Sequence, residues 1–254
     1  MTKVAKLFAV SALTMLLVAP ALLWAQAPGI DPKAKKILHR MTEYLAGLHQ
    51  FSAESRNTLE AVLTSGQKIE FEAAATLVLQ RPDKLLVTRK GDIVDQVFYY
   101  DGKSLTLFNP RENVYATVAA PDTVDKMMDF ARNKLDIFAP AGDLFYRDSY
   151  ERLMQDVTGG FVVGKAAIGD VLCDQLAFSG PEVDWQIWIE EGDRPLPLRY
   201  VITTKTVEGW PDYTVSISNW NVAPTIVDGE FSFVPPAGAK KVEFLPLVRS
   251  QASQ

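Results

Sequence analysis

The chain has 254 residues, 48% of them hydrophobic and 22% charged, with one cysteine, 15 glycines and 15 prolines. That composition excludes a disordered, collagen-like or disulfide-rich chain, and the length fits one domain, or at most two, able to bury a sizeable core without metals or disulfides. A formal charge of −5 argues against a protein that tracks nucleic-acid phosphates, and a lone Cys173 leaves no internal disulfide and no thiolate metal cage.

At the N-terminus, Lys3 and Lys6 precede an uncharged run from Leu7 to Ala19. Pro20 breaks the run, and Ala25-Gln26-Ala27 follows. This is the layout of a cleavable secretory signal peptide. Cleavage after Ala27 would set Pro28 beside the scissile bond, so cleavage after Ala25 is expected. The apolar run before Pro20 is short for a membrane-spanning helix. Losing residues 1–25 removes Lys3 and Lys6 and no acid, so the charge falls from −5 to −7. An exported chain with one cysteine suits the periplasm of a bacterial envelope. The expected organisation is a signal peptide over 1–25, one domain over 26–245 and a flexible tail over 246–254.

Asp31-Pro32 reads as a helix start, a capping carboxylate followed by proline at the first helical position. Ile37, Met41, Tyr44, Leu45 and Leu48 then recur at helical spacing. From Phe51 the period changes to two. Residues 51–63 and 67–80 read as strands around a Ser65-Gly66 turn. In the second, Ile69, Phe71, Ala73, Ala75, Leu77 and Leu79 share one face, and Glu70, Glu72, Thr76 and Gln80 fall largely on the other. That alternation marks a sheet with one wet face. Short strands follow at 84–90, 93–100, 104–109 and 113–119, with Asp101-Gly102 as a hairpin turn. A helix then opens at Pro121-Asp122, with Val124, Met127, Met128, Ala131 and Leu135 as its apolar stripe. Ile137 and Phe138 continue the apolar character to Pro140. A short helix is expected over 147–155, then strands at 157–164, 166–179, 184–190, 197–206 and 212–221.

The residue types that carry chemistry are scattered. His39 and His49, the only histidines, lack a short metal-ligand spacing, and His39 sits among helix-surface charges. Glu190 and Glu191 are adjacent, so they point apart on a strand rather than facing across a bond as an acid–base pair does. Asp170, Asp174 and Asp184 lie in no loop of calcium-site spacing. No serine stands in a nucleophile-elbow pattern. Cys173 falls in an apolar strand, where a thiol is an inert core residue. Trp185 and Trp188 have opposite parity, so one faces inward and one outward.

Four short words stand in order along the chain: Arg81-Pro82-Asp83, Asp101-Gly102-Lys103, Leu107-Phe108-Asn109-Pro110, and Phe231-Ser232-Phe233-Val234-Pro235-Pro236-Ala237-Gly238. With the helix–meander–helix–meander order, they resemble the LolA family, periplasmic carriers of outer-membrane lipoproteins, over roughly residues 33–240. The segment from Asp170 to Thr204, with Asp184-Trp185-Gln186-Ile187-Trp188 and Pro195-Leu196-Pro197, is more similar to an uncharacterised branch of predicted periplasmic proteins sharing that fold. The resemblance implies an α+β fold, an open antiparallel half-barrel of about 10–11 strands with helices closed as a lid over a concave apolar face. It implies a non-enzymatic carrier of acyl chains, lipids or lipoproteins, without cofactor or metal, served by a membrane-bound donor or acceptor protein. The alternative it implies is an envelope sensor or regulatory module that binds a protein partner. In the carriers the arginine of the Arg-Pro word holds the lid shut, a position matched by Arg81. Asp83-Lys84-Leu85 stands where carriers have Asn-Leu-Phe, and Leu107 where they have an aromatic.

On this reading the cavity wall or rim is made by Ile69, Phe71, Leu77, Leu79 and Leu85 from the strands and by Met127, Met128 and Leu135 from the lid. An empty hollow costs its lining atoms their packing partners. Burying an acyl chain returns about 0.8 kcal/mol per methylene, about 10 kcal/mol for a dozen before binding costs. Adjacent methionines re-pack readily around varied ligands. Arg81 has the parity of Leu77 and Leu79, and a guanidinium at the end of an apolar row must find acceptors, which helix-end carbonyls supply. A hollow of the order of a few hundred Å³ beneath residues 122–138 favours carriage, and a solid interior favours a scaffold or protein-binding role.

Overall fold

The computed structural model describes residues 29–137 and 139–244. The signal peptide and its cleavage site, Phe138 and the tail from residue 246 lie outside the described residues. Among those described, no helix is long and apolar enough to cross a membrane.

Helix α1 covers Pro32–Gly47, and its Asp31 cap accepts from the Lys33 amide at 2.8 Å. Ala34, Leu38, Met41 and Leu45 form its buried face. Six strands follow as a meander: β1 Gln50–Val62, β2 Lys68–Gln80, β3 Lys84–Gly91, β4 Asp95–Tyr100, β5 Ser104–Asn109 and β6 Val114–Ala119. The chain then passes through α2 (Val124–Leu135), a 3-10 turn over Gly142–Phe145 and α3 (Ser149–Met154). A second meander comprises β7 Gly159–Ile168, β8 Val171–Ser179, β9 Val183–Glu190, β10 Pro197–Thr204 and β11 Asp212–Asn221. A two-residue β12, Lys240–Lys241, closes the order.

All twelve strands make one sheet, ordered β12-β6-β5-β4-β3-β2-β1-β11-β10-β9-β8-β7. Each pairing is antiparallel except β12 with β6. The two meanders join along β1 and β11, so β6 and β7 fall near opposite ends of an open sheet. This topology dictates the lid. The segment between β6 and β7 must travel from one side of the sheet to the other, and it does so over one face as α2, the 3-10 turn and α3.

That face is apolar from strand to strand. Phe51 pairs with Leu79, Leu79 with Leu85 and Leu85 with Tyr100 in one meander. Val215 pairs with Tyr200, Tyr200 with Ile187 and Ile187 with Leu176 in the other. Under α1, the 3-10 turn and α3, the second meander packs into one hydrophobic core. There Trp185 is 4% exposed, stacked on Phe178 and edge-on to Tyr200. Trp188 has the opposite parity and lies under the Arg199 guanidinium. Under α2, the first meander forms a second cluster, and Phe145 and Trp220 pack against both.

The opposite face is polar over β1 and β2, where Glu54, Arg56, Glu70, Glu72 and Thr76 are the outward positions. The chain after β11 crosses this side to reach β6. On the way Phe233 seats among Tyr99, Phe108 and Tyr115 at ring distances of 4.9–5.4 Å. The terminal Phe-Ser-Phe word therefore builds a strap across the convex side.

Two boundaries differ from the sequence reading. The break expected at 164–166 is a bulge between Val162 and Gly164 that leaves β7 paired, and the turn falls at Gly169, whose φ of +58° favours glycine. The twelfth strand was not expected. Two residues carry no alternation, and β12 is fixed by its neighbours, Lys240 N donating to Asn113 O and Val242 N to Tyr115 O.

Candidate functional site

Between the first meander and α2 the core is incompletely filled. A partly open cavity of about 170 Å³ is walled by Leu77, Leu79, Leu85 and Val87 of β2 and β3, by Phe98 and Leu105, by Met127, Met128 and Ala131 of α2, and by Ile137, Phe145 and Tyr146. A second space of about 110 Å³ adjoins it along Leu77, Pro140 and Phe145, and carries Ser55, Asn57 and Tyr213 in its wall. The main hollow is smaller than the few hundred Å³ expected.

Among the residues expected at the cavity, Leu77, Leu79, Leu85, Met127 and Met128 are on its wall. Ile69 and Phe71 are not. They share the face of Leu77, but at 3.4 Å per residue Ile69 lies about 27 Å down the strand. Leu135 packs against the surrounding cluster without reaching the wall, because α2 ends there and Ile137 takes the place beside the cavity. Val87 and Arg89 continue the parity of Leu85, and Arg132 follows Met128 by one helical turn. Both patterns were available to a sequence reading. The stretch from Ile137 to Tyr146 lacked a periodic signal.

Arg81 closes the β2 end of this site. It is 2% exposed. Its Nη2 donates to the Phe145 carbonyl at 2.9 Å, and its Nη1 lies 3.6 Å from Asp125 Oδ1 on α2. One side chain, just past the end of β2, thus contacts both α2 and the 3-10 turn. Burial pulls its pKa below the ordinary value, Asp125 opposes this, and Arg147 adds to it. Its buried Nε has no partner, so the contact carries an uncompensated polar group.

Other bonds make the lid a unit. Arg152 grips both oxygens of Asp129 at 3.1 Å, Tyr146 Oη donates to Asp129 Oδ1 at 3.0 Å, and Arg132 donates to Asp143 at 2.7 Å. Burial, the Asp129 hydrogen bond and the Asp129 charge together push the Tyr146 hydroxyl pKa up. At the start of the lid, Val124 N donates to Pro82 O at 2.8 Å, and the Tyr100 hydroxyl donates to Pro121 O. The linker between α2 and the 3-10 turn holds Ala141 at φ +65°, a conformation that costs a non-glycine residue about 1 kcal/mol.

The chemistry-bearing residues stay apart. His39 pairs with Glu43 at 3.1 Å on the exposed face of α1. Asp174 pairs with Lys165, which Glu191 shares, and Asp184 with Lys205, the two aspartate contacts each at 2.8 Å, so both carboxylates are already engaged by lysines. Among the described residues no group of three or more His, Cys, Asp or Glu could hold a metal ion. Cys173 is fully buried, and burial first, then Glu190 and Asp174, push its thiol pKa up. A raised pKa leaves less thiolate at a given pH. The native protein is therefore expected to resist iodoacetamide at pH 8 and to react within minutes in urea, followed by intact mass. Comparable rates in both states would contradict this burial.

With the geometry in view, comparison with known proteins is informative. Residues 34–245 match the model of a family described as predicted periplasmic protein (DUF2092). The chain belongs to this family. The family description agrees with the periplasmic location expected from the sequence, and with the uncharacterised branch singled out by the Asp170–Thr204 segment. No curated protein matches the chain. Solved structures with a similar course include an uncharacterized conserved protein from Thermus thermophilus (12% identity, TM-score 0.49, 83% of this chain and 99% of that one). LprF from Mycobacterium bovis is another (16%, 0.48, 79% and 98%). A LolA superfamily protein from Nitrosomonas europaea is a third (12%, 0.38, 79% and 97%). The α+β architecture expected of a LolA-like half-barrel is the one the chain adopts.

Proposed function

We propose that this periplasmic protein is a non-enzymatic acyl-chain binder, holding a lipid tail in the cavity between β2–β5 and α2, with Arg81 as the latch of the lid. The observation that carries this reading is the cavity itself, an apolar hollow roofed by a segment tied to the sheet through one buried arginine. The wall is mainly hydrocarbon, so most of its affinity comes from methylene burial, about 0.8 kcal/mol each. The two methionines give the roof the freedom to re-pack around chains of different length. On this reading α2 and the 3-10 turn lift to admit a full chain through the partly open cavity, which separates the Phe145 carbonyl from Arg81 and couples occupancy to lid position. Transfer of cargo to a membrane-bound acceptor belongs to the same proposal, because a latch that breaks on entry leaves an open state that a receptor can select.

Native mass spectrometry of gently purified protein tests the reading. Adducts of lipid mass are expected, together with saturable uptake of a fluorescent fatty acid. Clean apo protein that takes up no probe would overturn it.

A further inference from the structure

The cavity wall is not uniform in charge. Leu85, Val87 and Arg89 follow one another on the inward face of β3, so the apolar row ends in a guanidinium inside the half-barrel. Arg89 lies opposite Ala75 on β2 and Gln96 on β4, and the small Ala75 leaves it room. It lines the cavity together with Arg132. Arg132 is neutralised by Asp143 at 2.7 Å, and Arg81 is held by Asp125 and the Phe145 carbonyl. Arg89 has neither an ion pair nor a hydrogen-bond acceptor among the described residues, and it is half-buried. Its charge reaches Tyr213, whose hydroxyl pKa is pushed up by burial and pulled back by this guanidinium. Tyr213 lies in the adjoining space with Ser55 and Asn57. The hollow is therefore amphipathic along its length, hydrocarbon beneath Met127 and Met128 and cationic toward Arg89.

Resting on the acyl-chain reading above, we infer that the protein selects a single-chain amphiphile with an anionic head, the tail lying under α2 and the carboxylate or phosphate on Arg89. A guanidinium at the rim of an apolar site is strengthened by low local dielectric and offers a forked donor set to such a head. A cavity of about 170 Å³ suits one chain rather than the several of a lipoprotein anchor.

Calorimetry on the intact mature protein separates the two readings, using four probes below their micelle concentrations. These are dodecanoate and its methyl ester, and 1-palmitoyl lysophosphatidic acid and 1-palmitoyl glycerol. Each anion is expected to bind roughly tenfold or more tighter than its neutral partner. Arg89→Gln should erase that difference, with thermal unfolding showing that the variant is folded. Arg56→Gln, which removes one charge from the convex face, should preserve the difference. The stronger of the two anion preferences identifies the head as carboxylate or phosphate. Equal binding of acid and neutral partner, or equal effects of Arg89→Gln and Arg56→Gln, overturns the head-group inference and leaves the acyl-chain reading standing. Binding by none of the four overturns both.

Discussion

An Ala131→Trp variant is expected to fold normally and to lose fatty-acid uptake almost completely. Ala131 is 7% exposed, lies on the cavity wall and packs in the cluster beneath α2. An indole placed there grows into a space that is already empty. Overpacking ordinarily costs about 1–3 kcal/mol, but that cost applies to a filled core, and here new contacts offset it. Excluding about six methylenes of a bound chain removes about 5 kcal/mol, a loss in affinity of roughly three orders of magnitude. Probe titration beside thermal unfolding checks both halves. Unchanged uptake by a stable Ala131→Trp protein would place the ligand elsewhere.

Arg81→Ala is expected to act on rate more than on affinity. The charged hydrogen bond from Arg81 to the Phe145 carbonyl joins the end of β2 to the 3-10 turn, and on the proposed mechanism it breaks when the lid lifts. Such a bond contributes about 1.5–3 kcal/mol, and its loss raises the open population by roughly tenfold to a hundredfold. Stopped-flow uptake should accelerate accordingly, while the variant loses about 2 kcal/mol of stability in urea, because Phe145 O and Asp125 lose a buried partner. Arg81→Lys keeps the charge but not the fork that reaches both lid pieces, and should fall between wild type and Arg81→Ala. An uptake rate equal to wild type would remove the latch from the account, leaving Arg81 as a structural tie.

Most of this architecture was readable from alternation and turn chemistry. The parity of Ile69 through Leu79 named the inward face of β2, and Asp101-Gly102 marked the hairpin that carries the face into β5. What periodicity could not supply was how far along a strand the cavity extends. Ile69 and Leu79 are equivalent by pattern, yet α2 covers only one end of β2, and that is decided by where the lid lands. The same limit hid Phe145 and Tyr146, which sit in a 3-10 turn and its exit, where neither a period of two nor one of 3.6 applies. Gly164 misled for a different reason. A glycine within a strand marks either a turn or a bulge, and only the pairing of β7 with β8 decides between them. β12 was invisible because a two-residue strand exists only through its partner. Arg89 stood in plain sight as the next inward position after Val87. A charged residue ending an apolar row reads as the point where a strand meets water, and the cavity beside it appears only in three dimensions.

The claim on which the account turns is that an acyl chain lies beneath α2. A diazirine-bearing fatty acid, photolysed on the intact protein and mapped by peptide sequencing, reports that position directly. The account predicts adducts on Leu77, Leu79, Met127 and Met128, competed away by unlabelled fatty acid. Adducts confined to exposed apolar residues at the strand tips, such as Leu63 and Trp210, would contradict it.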